Sequence, residues 1–417
     1  MKSWILKCMT VVAVVLFTGC SSDLDAPANE TVAGGEVVVD LSGAVIKQSL
    51  LEKGLPGVDE NTTVFGYKAY KIPYETTDEE GNVVEVSGLM VVPTEVPDAM
   101  KLAGFSLVSD SHGTIFANAE APTVIASATA SPDGSPIILT SLYGFVTLQA
   151  DYIGFGDSAG HYHPFVLKRS LANTTVDFIK AAKAFAKNNG IPLNGQLFMT
   201  GYSEGGYTAM AALEKIENEG ELQVTMAAPM AGPYIMDGLA AEVLKSDRLG
   251  VPSFMANVAY AYCKAYGQNI DTVVNEPYAS KLDGLFDGSH FREEIDAELT
   301  TVTQGDNGLF RSDFVNGFFG GNWFTLAVMQ NNLYKWAPRT PVKLVHCQGD
   351  DVIPFDLSVN TQKSMQAYGA ASVELIPVEA VLGLSNPVGH SDCGLLAYGV
   401  AANIFAQARQ ATLGGAR

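Results

Sequence analysis

Two segments of this chain read G-x-S-x-G: Gly156-Asp157-Ser158-Ala159-Gly160 and Gly201-Tyr202-Ser203-Glu204-Gly205. In that pattern small residues let a strand turn sharply into a helix, holding a serine hydroxyl up as a nucleophile. The turn needs a strand running into its first glycine and a helix directly after its serine. QLFMT (196–200) runs into Gly201, and GGYTAMAALEKI (205–216) follows Ser203 with helical patterning. Around Ser158 the apolar strand ends near Tyr152, and the following HYHPF contains Pro164, which opposes an immediate helix. Ser203 is therefore the candidate nucleophile, and 156–160 is expected to be a glycine-rich loop.

A serine hydroxyl needs a base, and the base needs a carboxylate to orient it. In a strand–serine–helix arrangement of this kind the chain order is serine, acid, histidine. Of the six histidines, only His390, in NPVGHSDCG, follows a strand end that could carry the acid. PVKLVHCQGDDVIPF offers Asp350 and Asp351 just past a late strand, with Asp350 the better placed and Asp351 the second choice. Donors to a developing oxyanion would be the backbone N–H of Glu204, after the nucleophile, and that of Thr114, in the SHGT turn following an early strand. This set describes acyl transfer through a serine ester. His161 and His163 with Asp157 lack a third spaced ligand, so neither a metal nor a cofactor is expected.

These groups require strands that end at one edge of a sheet. From residue 64 onward strand and helix signals alternate. FGYKAYKIPYETTDEEGNVVEVSGLMVVP reads as two strands joined at Asp78–Asn82, and 101–109, 144–152, 195–200, 222–230, 341–346 and 372–379 read as further strands. Helical spacing marks 174–190, 205–219 and the stretch after His390. Apolar strands alternating with helices predict an α/β fold, a mostly parallel sheet covered by helices on both faces. Residues 231–340 break the rhythm: they are aromatic-rich and helical without a core strand, and are read as an inserted helical cap over the site. Its Phe318, Phe319, Trp323 and Phe324 are expected to form the cap's own core, with an acyl-binding wall as the alternative.

Taken together, SDSHGT, ADYIGFGDSAGHYHPF, GYSEGGYTAMAA, GDDVIP and GHSDC resemble the secretory-lipase-like family of bacterial and fungal α/β-hydrolases, over roughly residues 64–410. The resemblance implies an α/β-hydrolase fold, Ser203 as nucleophile, Asp350 as acid, His390 as base and 231–340 as a lid over an acyl pocket. It also implies that the DYIGFGDS…HP segment is a loop flanking the site. Glu204 departs from the family's more usual glutamine and would bring a negative charge close to the oxyanion. Cys347 lies three residues before Asp350 and Cys393 three after His390, so an assembled triad would bring their sulfurs together; whether they bond is left open.

The ends and the composition bound the setting. MKSWILKCMTVVAVVLFTGC has two lysines, an apolar run shorter than the ~20 residues a span needs, and small residues before Cys20. It resembles a lipoprotein signal over 1–19, with Cys20 lipidated, 20–35 a flexible tether, 36–230 and 341–417 the two parts of the hydrolase core. Ser21 and Ser22 favour the outer over the inner membrane, and a secreted form is the alternative. A net charge of −20 argues against nucleic acid as a partner. No obligate protein partner is evident; the expected substrate is a small-molecule or lipid ester. A peptidase, an acyltransferase and a non-catalytic surface lipoprotein remain open readings.

Overall fold

The computed structural model describes residues 30–32, 34–55, 57–129 and 134–414. The signal segment, Cys20 and most of the expected tether lie outside the described residues. The strands are β1 (Glu30–Val32), β2 (Gly35–Leu41), β3 (Gly66–Thr77), β4 (Val83–Thr94), β5 (Phe105–Ser111), β6 (Val146–Ala150), β7 (Leu193–Tyr202), β8 (Met226–Met230), β9 (Val342–His346) and β10 (Val373–Pro377). They form one sheet in the order β1-β2-β3-β4-β6-β5-β7-β8-β9-β10. The end of the expected tether is corrected: Glu30–Val32 pairs antiparallel with Gly35–Leu41. Val37, Val38 and Val39 are buried there, so the register of this edge is set by a short apolar stretch that lies well before the strand–helix rhythm begins at residue 64.

β1 to β4 form an antiparallel ladder, and β4 meets β6 antiparallel. From β6 through β10 every pairing is parallel. Parallel neighbours need long crossovers, here helical. The helices are α1 (Gly43–Glu52), α2 (Asp98–Ala103), α3 (Pro122–Thr129), α4 (Lys168–Asn188), α5 (Glu204–Glu219), α6 (Met236–Lys245), α7 (Pro252–Ala265), α8 (Leu282–Leu285), α9 (Arg292–Glu298), α10 (Ser312–Phe319), α11 (Trp323–Gln330), α12 (Phe355–Ala367), α13 (Val378–Leu382) and α14 (His390–Gly414).

Alternate residues of the central strands feed two cores. Leu107, Leu197, Met199 and Leu344 pack with Val176 and Ile179 of α4 and Met210 and Leu213 of α5. Their neighbours Val108, Phe198 and Val345 face the other way, toward Ala397, Ala401 and Phe405 of α14. With both faces covered, β5 and β6 are buried at every residue, their polar members Ser106, Ser109, Asp110, Ser111, Thr147 and Gln149 included. Each fully buried leucine or phenylalanine contributes roughly 1.5–3 kcal/mol of transfer free energy.

Between β8 and β9 the chain forms α6 to α11 with only isolated bridges for sheet structure among the described residues. Hydrogen bonds fix this insertion to the core. The Tyr207 hydroxyl donates to the Asn331 carbonyl at 2.8 Å, and the Lys168 amide donates to the Asn331 side chain at 2.8 Å. Where the chain re-enters the core, the amides of Arg339 and Thr340 donate to the Glu217 carboxylate on α5. Phe318 and Phe324 are buried, and Phe324 packs on Tyr262 and Phe314 within the insertion.

Candidate active site

β7 delivers Ser203 and α5 begins one residue later. Ser203 has φ 60° and ψ −119°, a region costly for any residue with a side chain, and its amide is held by the Met230 carbonyl at 3.0 Å. The glycines around it are required by approach: a Cβ on Gly205 would overlap the Ser111 carbonyl, and one on Gly206 the Met230 carbonyl. These contacts lock the turn against β5 and β8, so the strained serine is determined by its neighbours.

The structure brings the three expected residues into one hydrogen-bonded chain. His390 Nε2 lies 2.9 Å from Ser203 Oγ, and His390 Nδ1 lies 2.6 Å from Asp350 Oδ2. Since a carboxylate only accepts, Nδ1 carries the proton and Nε2 is free to take one from serine. Burial alone would push the Asp350 carboxyl up. Hydrogen bonds from His346 and His390, with the backbone amide of Ile353, outweigh it and hold this group well below the usual carboxylate range. Asp351, the second choice for the acid, instead supports the base from behind. Its Oδ1 accepts from the His390 amide at 2.9 Å, at the start of α14.

Four further residues hold the acid and base loops in place. Glu379, buried, accepts from the amides of Gln348, Gly349 and Val388, bridging the acid loop to the loop before His390. Cys347 and Cys393 form a disulfide, so the possibility left open by the spacing is realised. His346, which precedes the acid and so was no candidate for the base, donates from Nε2 to Asp350 Oδ2 at 3.1 Å and accepts from the Ser358 hydroxyl at Nδ1. Its placement at the end of β9, four residues before Asp350, was the available signal.

Gly113 lies against the elbow, a Cβ there being 3.2 Å from the Tyr202 carbonyl and 3.9 Å from Ser203 Cβ. Thr114, Ser203 and Glu204 line one cavity of about 80 Å³. The rest of its wall is apolar and comes from Phe165 and Val166, from Met236, Leu239, Val243 and Met255 of the insertion, and from Ile353. None of Phe318, Phe319, Trp323 or Phe324 is among its lining residues. Ser158 is buried, with its hydroxyl donating to the Phe155 carbonyl and accepting from the Gly154 amide. The loop around it is tied down by Asp151, which accepts from Ser87 and Thr123, while the Asp157 amide donates to the same Ser87 hydroxyl. Asp157 itself pairs with Lys71, and His163 with Glu204, a contact between residues 41 positions apart that no local pattern announces.

Residues 135–386 match the model of a family described as secretory lipase. The chain belongs to the secretory lipase family. The match takes in Ser203 and Asp350 and ends four residues before His390. Similar solved structures include a putative hydrolase from Legionella pneumophila, 23% identical over 91% of this chain and 99% of that one, with a TM-score of 0.79. The rice cell wall degrading esterase LipA from Xanthomonas oryzae is 23% identical over 92% and 98% of the two chains, with a TM-score of 0.75. Candida antarctica lipase A is 14% identical over 86% and 78%, with a TM-score of 0.58. At these identities the likeness is one of fold, and it extends over most of the chain. No curated protein is matched by sequence.

Proposed function

We propose that this member of the secretory lipase family is a serine carboxylic-ester hydrolase working through Ser203, His390 and Asp350. Family membership supports a hydrolase of the lipase or esterase kind. The observation that carries the finer reading is the unbroken chain from Ser203 Oγ through His390 to Asp350, at 2.9 and 2.6 Å, opening on an apolar cavity. Ser203 Oγ attacks the ester carbonyl carbon while His390 Nε2 takes its proton. Asp350 stabilises the imidazolium without itself being protonated. The amides of Glu204 and Thr114 donate to the oxyanion; removing one such donor costs roughly 10²–10³ in kcat. As the tetrahedral intermediate collapses, Nε2 returns the proton to the leaving alcohol. Water then repeats the sequence on the acyl-enzyme and releases the acid. We further read Cys20 as a lipid attachment point that holds the enzyme on the cell envelope, outer membrane rather than inner; metabolic palmitate labelling that is lost in C20A tests this.

The deciding experiment is fluorophosphonate labelling of the purified protein with peptide mapping, followed by assays on p-nitrophenyl esters and aminoacyl anilides. Label on Ser203, lost in H390A, together with ester cleavage, is the expected result. Label on Ser158, or cleavage of anilides alone, would overturn the assignment.

A further inference from the structure

Glu204 follows the nucleophile directly, yet its side chain is 1% exposed and turns into the protein. Its Oε1 sits 2.7 Å from His163 Nε2, and its Oε2 is buried with no hydrogen-bond partner. The far side of the His163 ring settles what this contact can be. Nδ1 lies 3.0 Å from the Ile153 carbonyl, which can only accept, so Nδ1 carries a proton. A neutral imidazole has one N–H, and here it is already used. The 2.7 Å contact must therefore hold one more proton, either as imidazolium and carboxylate or as imidazole and carboxylic acid. Without it two lone pairs would face each other in a buried site, which is a costly arrangement.

Both forms have no net charge, and the position makes that consequential. Glu204 lines the cavity that holds Ser203 and Thr114, and its amide, the first of α5, is one of the two donors proposed for the oxyanion. A bare carboxylate there would oppose the developing negative charge through a short, poorly screened path. We propose that Glu204 and His163 form a one-proton pair without net charge, and that this pairing keeps the oxyanion site uncharged and so supports acyl transfer. This proposal rests on the hydrolase reading of Ser203. Glu204 and His163 act through the site's electrostatics and are positioning residues.

The neighbouring groups leave that role to the pair. His112, on the loop after β5, places Nδ1 2.8 Å from the Gly113 carbonyl and Nε2 3.3 Å from the Asp151 carbonyl; burial lowers its pKa. Tyr152 stacks on His112 at 4.0 Å and faces His163 at 5.9 Å, and burial followed by the charge of Glu204 pushes its phenol well above the ordinary value. Asp151 behind His112 is engaged by Ser87 and Thr123, and Asp110 by Ser135, Gln149 and Tyr398. His161 lines the small cavity on the outer side of the His163 ring, and His390 with Asp350 lies across Ser203. A glutamine at this position could donate its amide N–H to a neutral His163 Nε2 and would need no additional proton, whereas the glutamate does.

The test has two arms. In the first, nitrogen-15 histidine and carbon-13 glutamate NMR on the unmodified protein near neutral pH reads the proton directly, without reference to activity. The expected result is either two protonated nitrogens on His163 or a Glu204 carboxyl in the acid form. A single protonated nitrogen beside an ionised Glu204 would overturn the proposal. In the second, the rate of fluorophosphonate inactivation is compared at one pH in the wild type, in H163F, which strands the Glu204 carboxylate, and in H163F/E204Q, which removes its charge. H163F should be labelled at least tenfold more slowly than the wild type, and adding E204Q should restore most of that loss. Equal rates in the single and double variants, both folded by circular dichroism, would overturn it. If the wild type is not labelled at all, the hydrolase reading fails, and the NMR arm still decides the state of the pair.

Discussion

At the residue scale, the two G-x-S-x-G segments show how identical local patterns are separated by what they contact. Ser203 keeps its hydroxyl for His390, whereas Ser158 spends its own on neighbouring backbone. Context legible in the sequence separated them: a strand running straight into Gly201, and Pro164 after Gly160. The buried carboxylates were not separable in this way, because their behaviour depends on donors from distant strands. Asp350 is held low by its donors, so its stabilising contribution is present above the unfolded carboxyl range and is lost only as strong acid is approached. Asp151 has the opposite sign. Burial outweighs its bonds to Ser87 and Thr123 and raises it from 3.8 to about 6. The native state then binds a proton more tightly than the unfolded chain, so this group favours folding below the unfolded value and loses that contribution as pH rises through about 6. Urea melts of wild type and D151N should diverge accordingly: between about pH 4.5 and about pH 7.5 the wild type should lose roughly 2 kcal/mol relative to the variant. A constant gap between the two would remove the titration of Asp151 from the stability profile.

At the scale of elements, the parallel strands were legible as short segments rich in apolar residues and bounded by turn residues, and α4, α5 and α14 because their flanking strands and turns delimit them. The first strands and α1 were not. β1 and β2 form an edge whose register depends on β3, Leu41 pairing with Tyr67 and Glu36 with Lys71, partners that no local window contains. α12 also escaped, its residues being half polar on a crossover between β9 and β10. The acid and base loops are joined by four ties: Glu379 and its amides, the Asp350–His390 bond, the bond from the His390 amide to Asp351, and the Cys347–Cys393 disulfide. The disulfide spans 46 residues, and in a chain-entropy account a loop of that length contributes roughly 4 kcal/mol to stability. Replacing both cysteines with alanine should therefore destabilise the fold by up to that amount in urea denaturation. Ester hydrolysis should survive within about tenfold, because the other three ties still set the distance between acid and base. A loss of activity as deep as that of S203A, in a variant that remains folded by circular dichroism, would show that the disulfide itself positions the triad.

At the scale of the whole molecule, the proposed reaction places the reacting groups on the core and leaves the insertion, which lines the same cavity, to decide what reaches them. The insertion's helices were legible only as a departure from the strand–helix rhythm, and which of its side chains meet Ser203 was not, because that follows from how α6 and α7 lie across the strand ends. The result is a pocket with little room. One water needs roughly 10–15 Å³ on this scale, so a cavity of about 80 Å³ accepts a handful of heavy atoms. Each methylene of a substrate buried against Met236, Leu239 and Val243 adds about 0.8 kcal/mol, close to fourfold in kcat/KM when it is realised in the transition state. Beyond the end of the cavity this gain stops and the insertion must yield. With p-nitrophenyl esters, kcat/KM should climb about fourfold per methylene from acetate to a maximum near butyrate or hexanoate, then fall at least tenfold by dodecanoate. Met255 lines both this cavity and a neighbouring one of about 270 Å³, toward which M255A would open the inner space. That variant should move the maximum to longer chains without changing the Ser203–His390–Asp350 geometry, since Met255 takes no part in that hydrogen-bonded chain. If the wild type already prefers dodecanoate, α6 and α7 must swing away from Ser203 during turnover, and the insertion is a moving lid rather than the fixed wall of the acyl site.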